Sequence, residues 1–576
     1  MDPVYRNIKA GSGADVSSGR NEILFLYTQR WVPGRAFEVI GSLGGLTLAS
    51  RLAQKGYQAY SYAGITPKAA DMIRKRSPGL LAVCFYCDFD NIGAVKALIR
   101  AFSGEPFYRL VGGPQTMHLT PEEAAGLGAD AVLCGDGEES VLAWLERIKT
   151  TGIGGKAFPP LPQETTGEKK GHYELLPDFS SYPVPDDRLS LNPPTALFSV
   201  ISARGCPHRC AFCFEGGNSK LLRPREPDAV LEEIRIRLYH TPRLRYLFFA
   251  DDTFTYSMPR LKAFCDGLKE LRRSRDFVWF CEGHASFFRR HPEAMKLMTE
   301  AGMVRMQIGM ESGCDEILSL YGKGIRAEDI RYTARLAWEA GLPQLAGNFI
   351  IGGAGETADT AERTRDFVLS LLEEFPGMPD ISTTFPMPLC GTQLTEHPEL
   401  YGIRWNDTEF VTSLEDVPVN RTAALSGHEI SLARARFLRQ VLLKMKELAA
   451  QNKIPRHRIL ENLRLSFRYG IADNWCQYIY RRDPWLTAYG KAVLEYGCLT
   501  WEQAQDKAPE TLLPLRVRPL QELGSRPLSD AALALCLASD GRSLRAVQKG
   551  TGLSDQELRL AAAEADRACT LVFCSL

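Results

Sequence analysis

Two stretches of this sequence repeat one local pattern: a short apolar run, a turn, then a segment with helical periodicity. In the first stretch the runs are Glu22–Tyr27 (EILFLY), Gln58–Tyr62, Leu80–Phe85 (LLAVCF), Tyr108–Val111 and Ala131–Leu133. Helical periodicity covers Ser42–Lys55, Ile92–Phe102 and Pro121–Leu127 between them. In the second stretch the runs are Leu197–Ser202, Tyr246–Ala250, Phe277–Cys281, Arg305–Met310, Asn348–Ile351 and Asp380–Phe385. Strands alternating with helices predict parallel sheets, because a helix supplies the crossover that parallel pairing needs. The first stretch therefore reads as a doubly wound sheet, with ligands at the carboxyl ends of its strands. The second has six βα repeats of about 30–40 residues, too few for a closed eight-stranded barrel and suited to an open partial one. The fold class is α/β.

The break between the two stretches is compositional. Residues 151–194 carry Pro159, Pro160, Pro162, Pro177, Pro183, Pro185, Pro193 and Pro194, with GEKKG among them. This is a linker without a core of its own. The organisation is thus an extension over 1–20, a doubly wound domain over 21–150, the linker over 151–194 and a partial barrel over 195–400. Residues 401–576 form a helical region ending in a helix-turn-helix-like unit near Ser529–Asp566 that turns at Gly552.

Charge and cysteine usage narrow the function. Sixty-nine Lys+Arg balance sixty-nine Asp+Glu, so no global field favours nucleic acid or an anionic membrane. No apolar run reaches the roughly 20 residues of a membrane span. The start MDPVYRNIKAGSGADVSSGR lacks the apolar core of a signal peptide. Fifteen cysteines, an odd and scattered set, predict reduced thiols in a cytoplasmic protein.

The chemistry begins at RGCPHRCAFCF, where Cys206, Cys210 and Cys213 stand in CxxxCxxC spacing just after a strand. Three thiolates on one tight loop suit three irons of a [4Fe–4S] cluster, leaving the fourth iron open. Ordinary buried cysteines and a zinc site are the alternatives, although structural zinc takes a fourth protein ligand and none lies nearby. The segment resembles the cluster motif of the radical S-adenosylmethionine (radical SAM) superfamily. Phe212 matches that pattern's aromatic position. The resemblance continues through FFADDTF, with Asp251 and Asp252 where the family holds the methionine end. It includes IGMESG, with Glu311 and Ser312 where the ribose binds, and GNFIIGGAGET, with Gly352 and Glu356 beside the adenine. FPMPLCGTQL resembles the strand-6 loop, with Cys390 and Gln393 departing from the usual Pro-Gly-Thr-Pro. Plainer alternatives exist: Asp251–Asp252 as a helix cap, Glu311 as a surface carboxylate, the glycines as a tight turn.

The first domain resembles the N-terminal cobalamin-binding domain of B12-dependent radical SAM enzymes, a Rossmann-like unit. VGGPQ (Gly112, Gly113) and CGDGEES (Gly135, Gly137) stand where that class borders the corrin and nucleotide tail. The DxHxxG sequence that supplies an axial histidine in other B12 proteins is absent, and Tyr86 and Cys87 are the candidates below the corrin. The resemblance implies a [4Fe–4S] cluster, S-adenosylmethionine and methylcobalamin. It also implies an electron donor such as flavodoxin or ferredoxin, and methylation of an unactivated carbon in a peptide or natural-product intermediate. Rearrangement, ring contraction or cyclisation with the same cofactors is an alternative, as is a cobalamin-binding regulator. The C-terminal segment Ser554–Arg567 carries Asp555, Glu557, Glu564 and Asp566 against Arg559 and Arg567. That is the wrong sign for facing phosphates. The aromatic segment Trp475–Trp485 either covers the barrel mouth or packs internally.

Overall fold

The structure is a computed structural model. It describes residues 20–29, 42–88, 91–119, 123, 126–133, 136–151, 183–215, 222–406, 417–516, 528–539 and 541–575. The extension before residue 20, Gly135, most of Pro121–Leu127 and most of the linker lie outside these. Contacts divide the chain into one unit of residues 1–342, 346–367 and 382–437, and a second of 343–345, 368–381 and 438–576.

In the first unit, β1 (Glu22–Gln29), β2 (Gln58–Ile65), β3 (Leu80–Tyr86), β4 (Tyr108–Gly112) and β5 (Ala131–Val132) form one sheet. Its order is β2-β1-β3-β4-β5 and every pairing is parallel. Apolar residues bury both faces. Ile23, Phe25, Ala82, Cys84 and Leu110 pack on one side, and Leu24, Leu26, Val83, Phe85 and Val111 on the other. Ser42 starts the helix Leu43–Gln54 by accepting the Gly45 N–H, which satisfies one of the orphan donors of a first turn. A helix at Thr66–Arg76 was not expected; Pro67 in its first turn supplies the fixed φ that favours a helix start. The strand order reverses between β1 and β3, so a crevice opens beyond their carboxyl ends.

The linker's last residues are pinned to this sheet. Leu191 N–H donates to the Ser61 carbonyl at 2.8 Å, and Asn192 exchanges hydrogen bonds with both backbone groups of Ala63. They cover the outer edge of β2, an edge that would otherwise present unpaired backbone groups.

Beyond them, β6 (Leu197–Val200) leads into a two-stranded hairpin, β7 (Ala203–Arg204) with β8 (Arg223–Pro224), which brackets the cysteine loop. Strands β9 (Tyr246–Phe249), β10 (Val278–Gly283), β11 (Met303–Glu311), β12 (Gln344–Ile350) and β13 (Pro379–Thr384) follow. Their sheet runs β6-β9-β10-β11-β12-β13, the same order as in the chain. The partial barrel is therefore a simple progression of βα units. On the helix Met258–Ser274, Leu261, Phe264, Cys265 and Leu268 are buried at helical spacing. Phe264 meets Phe249 and Phe254, and both of these meet Trp279. Each such ring stabilises the fold by about 1.5–3 kcal/mol through burial.

The second unit carries its own core. Trp475 and Tyr480 are fully buried, and the Trp475 indole donates to the Pro379 carbonyl at 2.8 Å. The aromatic segment is therefore packing. The helix-turn-helix-like unit holds helices Asp530–Ala538, Leu544–Thr551 and Asp555–Arg567, with Gly552 at φ +72 ending the middle one. Two antiparallel strands not expected from the sequence, Leu512–Arg516 and Leu571–Ser575, complete it. Asp566 is buried and accepts from Trp501 N–H at 2.9 Å and from the Tyr489 hydroxyl. It belongs to the core of the unit, not to the acidic face counted from the sequence.

Candidate active site

The three cysteines sit on a loop that other strand ends hold in place. Gly205, at φ +86, turns the chain out of β7. Ala211 N–H donates to the Tyr321 carbonyl and the Ala211 carbonyl accepts Leu394 N–H, both at 2.9 Å. The Phe212 ring meets Tyr321 edge-on at 4.9 Å. His208 on the loop stacks on His284 at the end of β10, with ring centroids 3.7 Å apart. Among the described residues no three Cys, His, Asp or Glu side chains converge to hold a single metal ion. The three thiols nonetheless lie close enough for Cys206 to feel the charge of Cys213 and Cys210. Burial pushes the Cys206 and Cys210 thiols up to about 12 and about 11. Thiols so placed become thiolates when a cation takes their protons' place, as iron does. The donor set fits an iron–sulfur cluster.

Around the loop stand the strand-end residues. Glu311 ends β11 at φ +57, a left-handed conformation that costs a non-glycine residue about 1–3 kcal/mol and clusters at functional sites. Its carboxylate pairs with Lys323 at 2.9 Å, both groups buried. Burial opposes the Lys323 charge, but Glu311 and Cys210 hold its pKa above the ordinary lysine value. Asp252 accepts the Gly205 N–H at 2.9 Å, and burial raises its pKa. Glu282, at the end of β10, is pushed up to about 7 by burial, with Asp252 adding to the effect. Three expected ligand residues are engaged within the protein. Asp251 accepts from Ser202 N–H at 2.6 Å, Ala203 N–H at 3.1 Å and the Ser202 hydroxyl. Ser312 pairs with Thr364 at 3.0 Å and caps Cys314 N–H. Glu356 accepts the Gly352 N–H, and burial pushes its carboxyl up to about 7. These three brace the loops from inside.

The crevice of the first sheet and the cysteine loop share one cleft. Its volume is about 400 Å³, within the roughly 300–1,000 Å³ usual for small-ligand pockets. Tyr86, Gly112, Gly113 and Gly137 line it from the sheet side, and Ala203, Arg204, Gly205 and Asp252 from the barrel side. Cys87 does not line it. Its side chain is fully buried, and its backbone lies where a Cβ on Gly113 would fall, 2.6 Å from the Cys87 carbonyl oxygen. Gly113 is thus required by the turn itself, at φ +114, whereas a Cβ on Gly112 meets no protein atom closer than 3.8 Å.

The radical SAM superfamily model matches residues 200–368, which span β6 to the helix after β12 and contain all three cysteines. The chain carries a radical SAM domain. The enzyme is 28% identical over 341 residues to an uncharacterised methyltransferase of Pyrococcus horikoshii, covering 57% of this chain and 71% of the relative. To the bacteriochlorophyllide d C-12(1)-methyltransferase of Chlorobaculum tepidum it is 27% identical over 232 residues, 37% of this chain and half of that one. Its fold matches the cobalamin-dependent S-adenosylmethionine radical enzyme OxsB, solved with aqua-cobalamin and S-adenosylmethionine. That match has a TM-score of 0.54 at 16% identity and covers 78% of this chain and 73% of the other. No helix among the described residues of the radical SAM enzyme is long and apolar enough to cross a membrane.

Sequence reasoning missed Lys323, Glu282 and His284 in this enzyme. YGKGI (Tyr321–Ile325) offered one signal, a lone lysine flanked by glycines just after a strand-end motif.

Proposed function

We propose that this chain is a cobalamin-dependent radical SAM methyltransferase acting on an unactivated carbon of a biosynthetic substrate, a peptide or natural-product intermediate. The observation that carries the reading is the cleft, lined on one side by the sheet's glycine corner and on the other by Gly205, Phe214 and Glu215 at the two ends of the cysteine loop. When bound, the cluster with S-adenosylmethionine supplies a 5′-deoxyadenosyl radical for hydrogen abstraction, and cobalamin supplies the methyl group. Cys206, Cys210 and Cys213 would hold the cluster. Lys323, a buried cation beside Cys210, suits the carboxylate of S-adenosylmethionine, with Glu311 balancing its charge. Asp252 and Phe212 flank the same space, and Gly352 shapes the loop beside it at φ +81. Asp251, Ser312 and Glu356 fix the backbone on which these groups ride. Gly112 leaves room for a bulky ring, and Tyr86, which lines the cleft where Cys87 does not, would be the side chain to meet it. Holding both reactive centres over one cavity supplies the proximity that such a two-step transfer needs.

The test is an anaerobic assay with methyl-deuterated S-adenosylmethionine. Each product should carry one intact labelled methyl and be matched by one 5′-deoxyadenosine and one S-adenosylhomocysteine. Deoxyadenosine without matching S-adenosylhomocysteine, and a product without added methyl mass, would replace methylation by rearrangement or cyclisation.

A further inference from the structure

Four charged side chains bridge the doubly wound sheet and the cysteine loop. Arg204, the last residue of β7, gives one guanidinium nitrogen to Asp136 at 2.7 Å and another to Glu138. Arg223, on the partner strand β8, reaches the other Asp136 oxygen at 2.5 Å. Arg204 thus stands where the chain enters the cysteine loop, and Arg223 opens the strand that pairs back after it. Their acceptors come from the other domain: Asp136 follows β5, and Glu138 lies in the first turn of the helix Gly137–Thr151. All four are largely withdrawn from solvent, with Glu138 at 4% and Asp136 at 10% side-chain exposure, and all four line the shared cleft.

Two cations and two anions cancel, so the group adds no net charge to the loop. Nor does it serve stability well. Well-packed apolar residues replace buried ion pairs at no loss and often with a gain, whereas breaking one partner is costly. What such a group does provide is a fixed register, since a guanidinium bridging two carboxylates and a carboxylate bridging two guanidiniums tolerate little sliding.

We propose that Asp136, Glu138, Arg204 and Arg223 are positioning residues forming a charge clasp. It holds the cysteine loop in register with the strand ends of the first sheet, so that the two reactive centres of the cleft stay coupled. The coupling part rests on the methyltransferase reading; the clasp itself does not. The acidic residues of CGDGEES are, on this account, the attachment point of the barrel.

The test uses the full chain with Asp136→Asn, which keeps the shape and removes the charge, and Arg223→Lys as a second, milder lesion. In cofactor-free protein, hydrogen exchange should accelerate at least tenfold in residues 136–141 and 201–215 together, and nowhere else. Asp136→Glu should restore it to within about threefold, and Asp136→Asn with Arg223→Gln should be no worse than Asp136→Asn alone. Unchanged exchange in both single variants, or a change on one side only, overturns the clasp. In reconstituted enzyme, Asp136→Asn should keep its iron content and cluster spectrum yet release at least tenfold more 5′-deoxyadenosine per methylated product. A wild-type ratio in a variant whose exchange has changed overturns the positioning role, and so does loss of the cluster. If wild-type enzyme methylates nothing, the proposed function fails while the exchange measurement still decides the clasp.

Discussion

At the scale of single residues, the cysteine loop makes the sharpest demand. Replacing Cys206, Cys210 and Cys213 with alanine should abolish iron–sulfur absorbance and 5′-deoxyadenosine formation, because three thiolates are the minimum that retains a cluster with one open iron. Iron analysis and nucleoside counting check this, and wild-type iron in the triple variant would refute the cluster. Glu356 gives a pH prediction. Its folded pKa of about 7 lies above its ordinary 4.5. The stability it contributes is therefore fully present below about pH 4.5 and is lost as pH rises through 7. Glu356→Gln should flatten that fall in denaturant titrations between pH 5 and 7. Glu356→Ala, which strips the Gly352 N–H of its acceptor, should cost about 1–3 kcal/mol at every pH. The cysteines were legible in the sequence because cluster chemistry depends on spacing within one loop. Asp251 and Ser312 were not legible as braces, because their partners, Ser202 and Thr364, are distant in sequence; Glu356 was not because its acceptor role to Gly352 depends on how its own loop turns. Lys323 was missed for a related reason: only the fold carries its ammonium to Glu311 and Cys210.

At the scale of elements, strands and helices followed periodicity closely, from the β3 run at Leu80 to the barrel's last strand at Pro379–Thr384. The misses were the helix Thr66–Arg76 and two short strands: Leu512–Arg516 contains a proline, and Leu571–Ser575 is five residues paired, among the described residues, with it and Leu499. The turn after β4 allows a paired prediction. Gly113→Ala forces a Cβ onto the Cys87 carbonyl at positive φ, so it should lower stability by about 1–2 kcal/mol or more. Gly112→Leu should leave stability nearly unchanged but reduce cobalamin retention after anaerobic reconstitution, by filling cleft space. Equal loss of stability in both variants would assign the pair to the turn alone. In the second unit, Asp566→Ala removes the acceptor of Trp501 N–H and the Tyr489 hydroxyl. It should destabilise that unit by about 1–3 kcal/mol in thermal or chemical unfolding.

At the scale of the whole molecule, reconstituted enzyme should carry about one cobalamin and one cluster per chain, each lost independently by Gly112→Leu or by the cysteine variants. Metal and corrin analysis of the same samples checks this, and cobalamin that disappears with the cysteines would move its site to the barrel. The barrel's strand order has a consequence for how the protein is made. Because spatial order equals chain order, each new strand can pair with one already released from the ribosome, and the sheet can grow as synthesis proceeds. The loop between β7 and β8 is an exception. The backbone hydrogen bonds that hold Ala211, to Tyr321 and Leu394, come from segments translated much later, a delay on the order of ten seconds or more. Through that interval the loop is fastened at its stem, by Arg204 and Arg223 to Asp136 and Glu138, but not yet at Ala211, so the three thiols stay reachable by whatever delivers iron and sulfide. The last βα units close the door on a site that can be filled first.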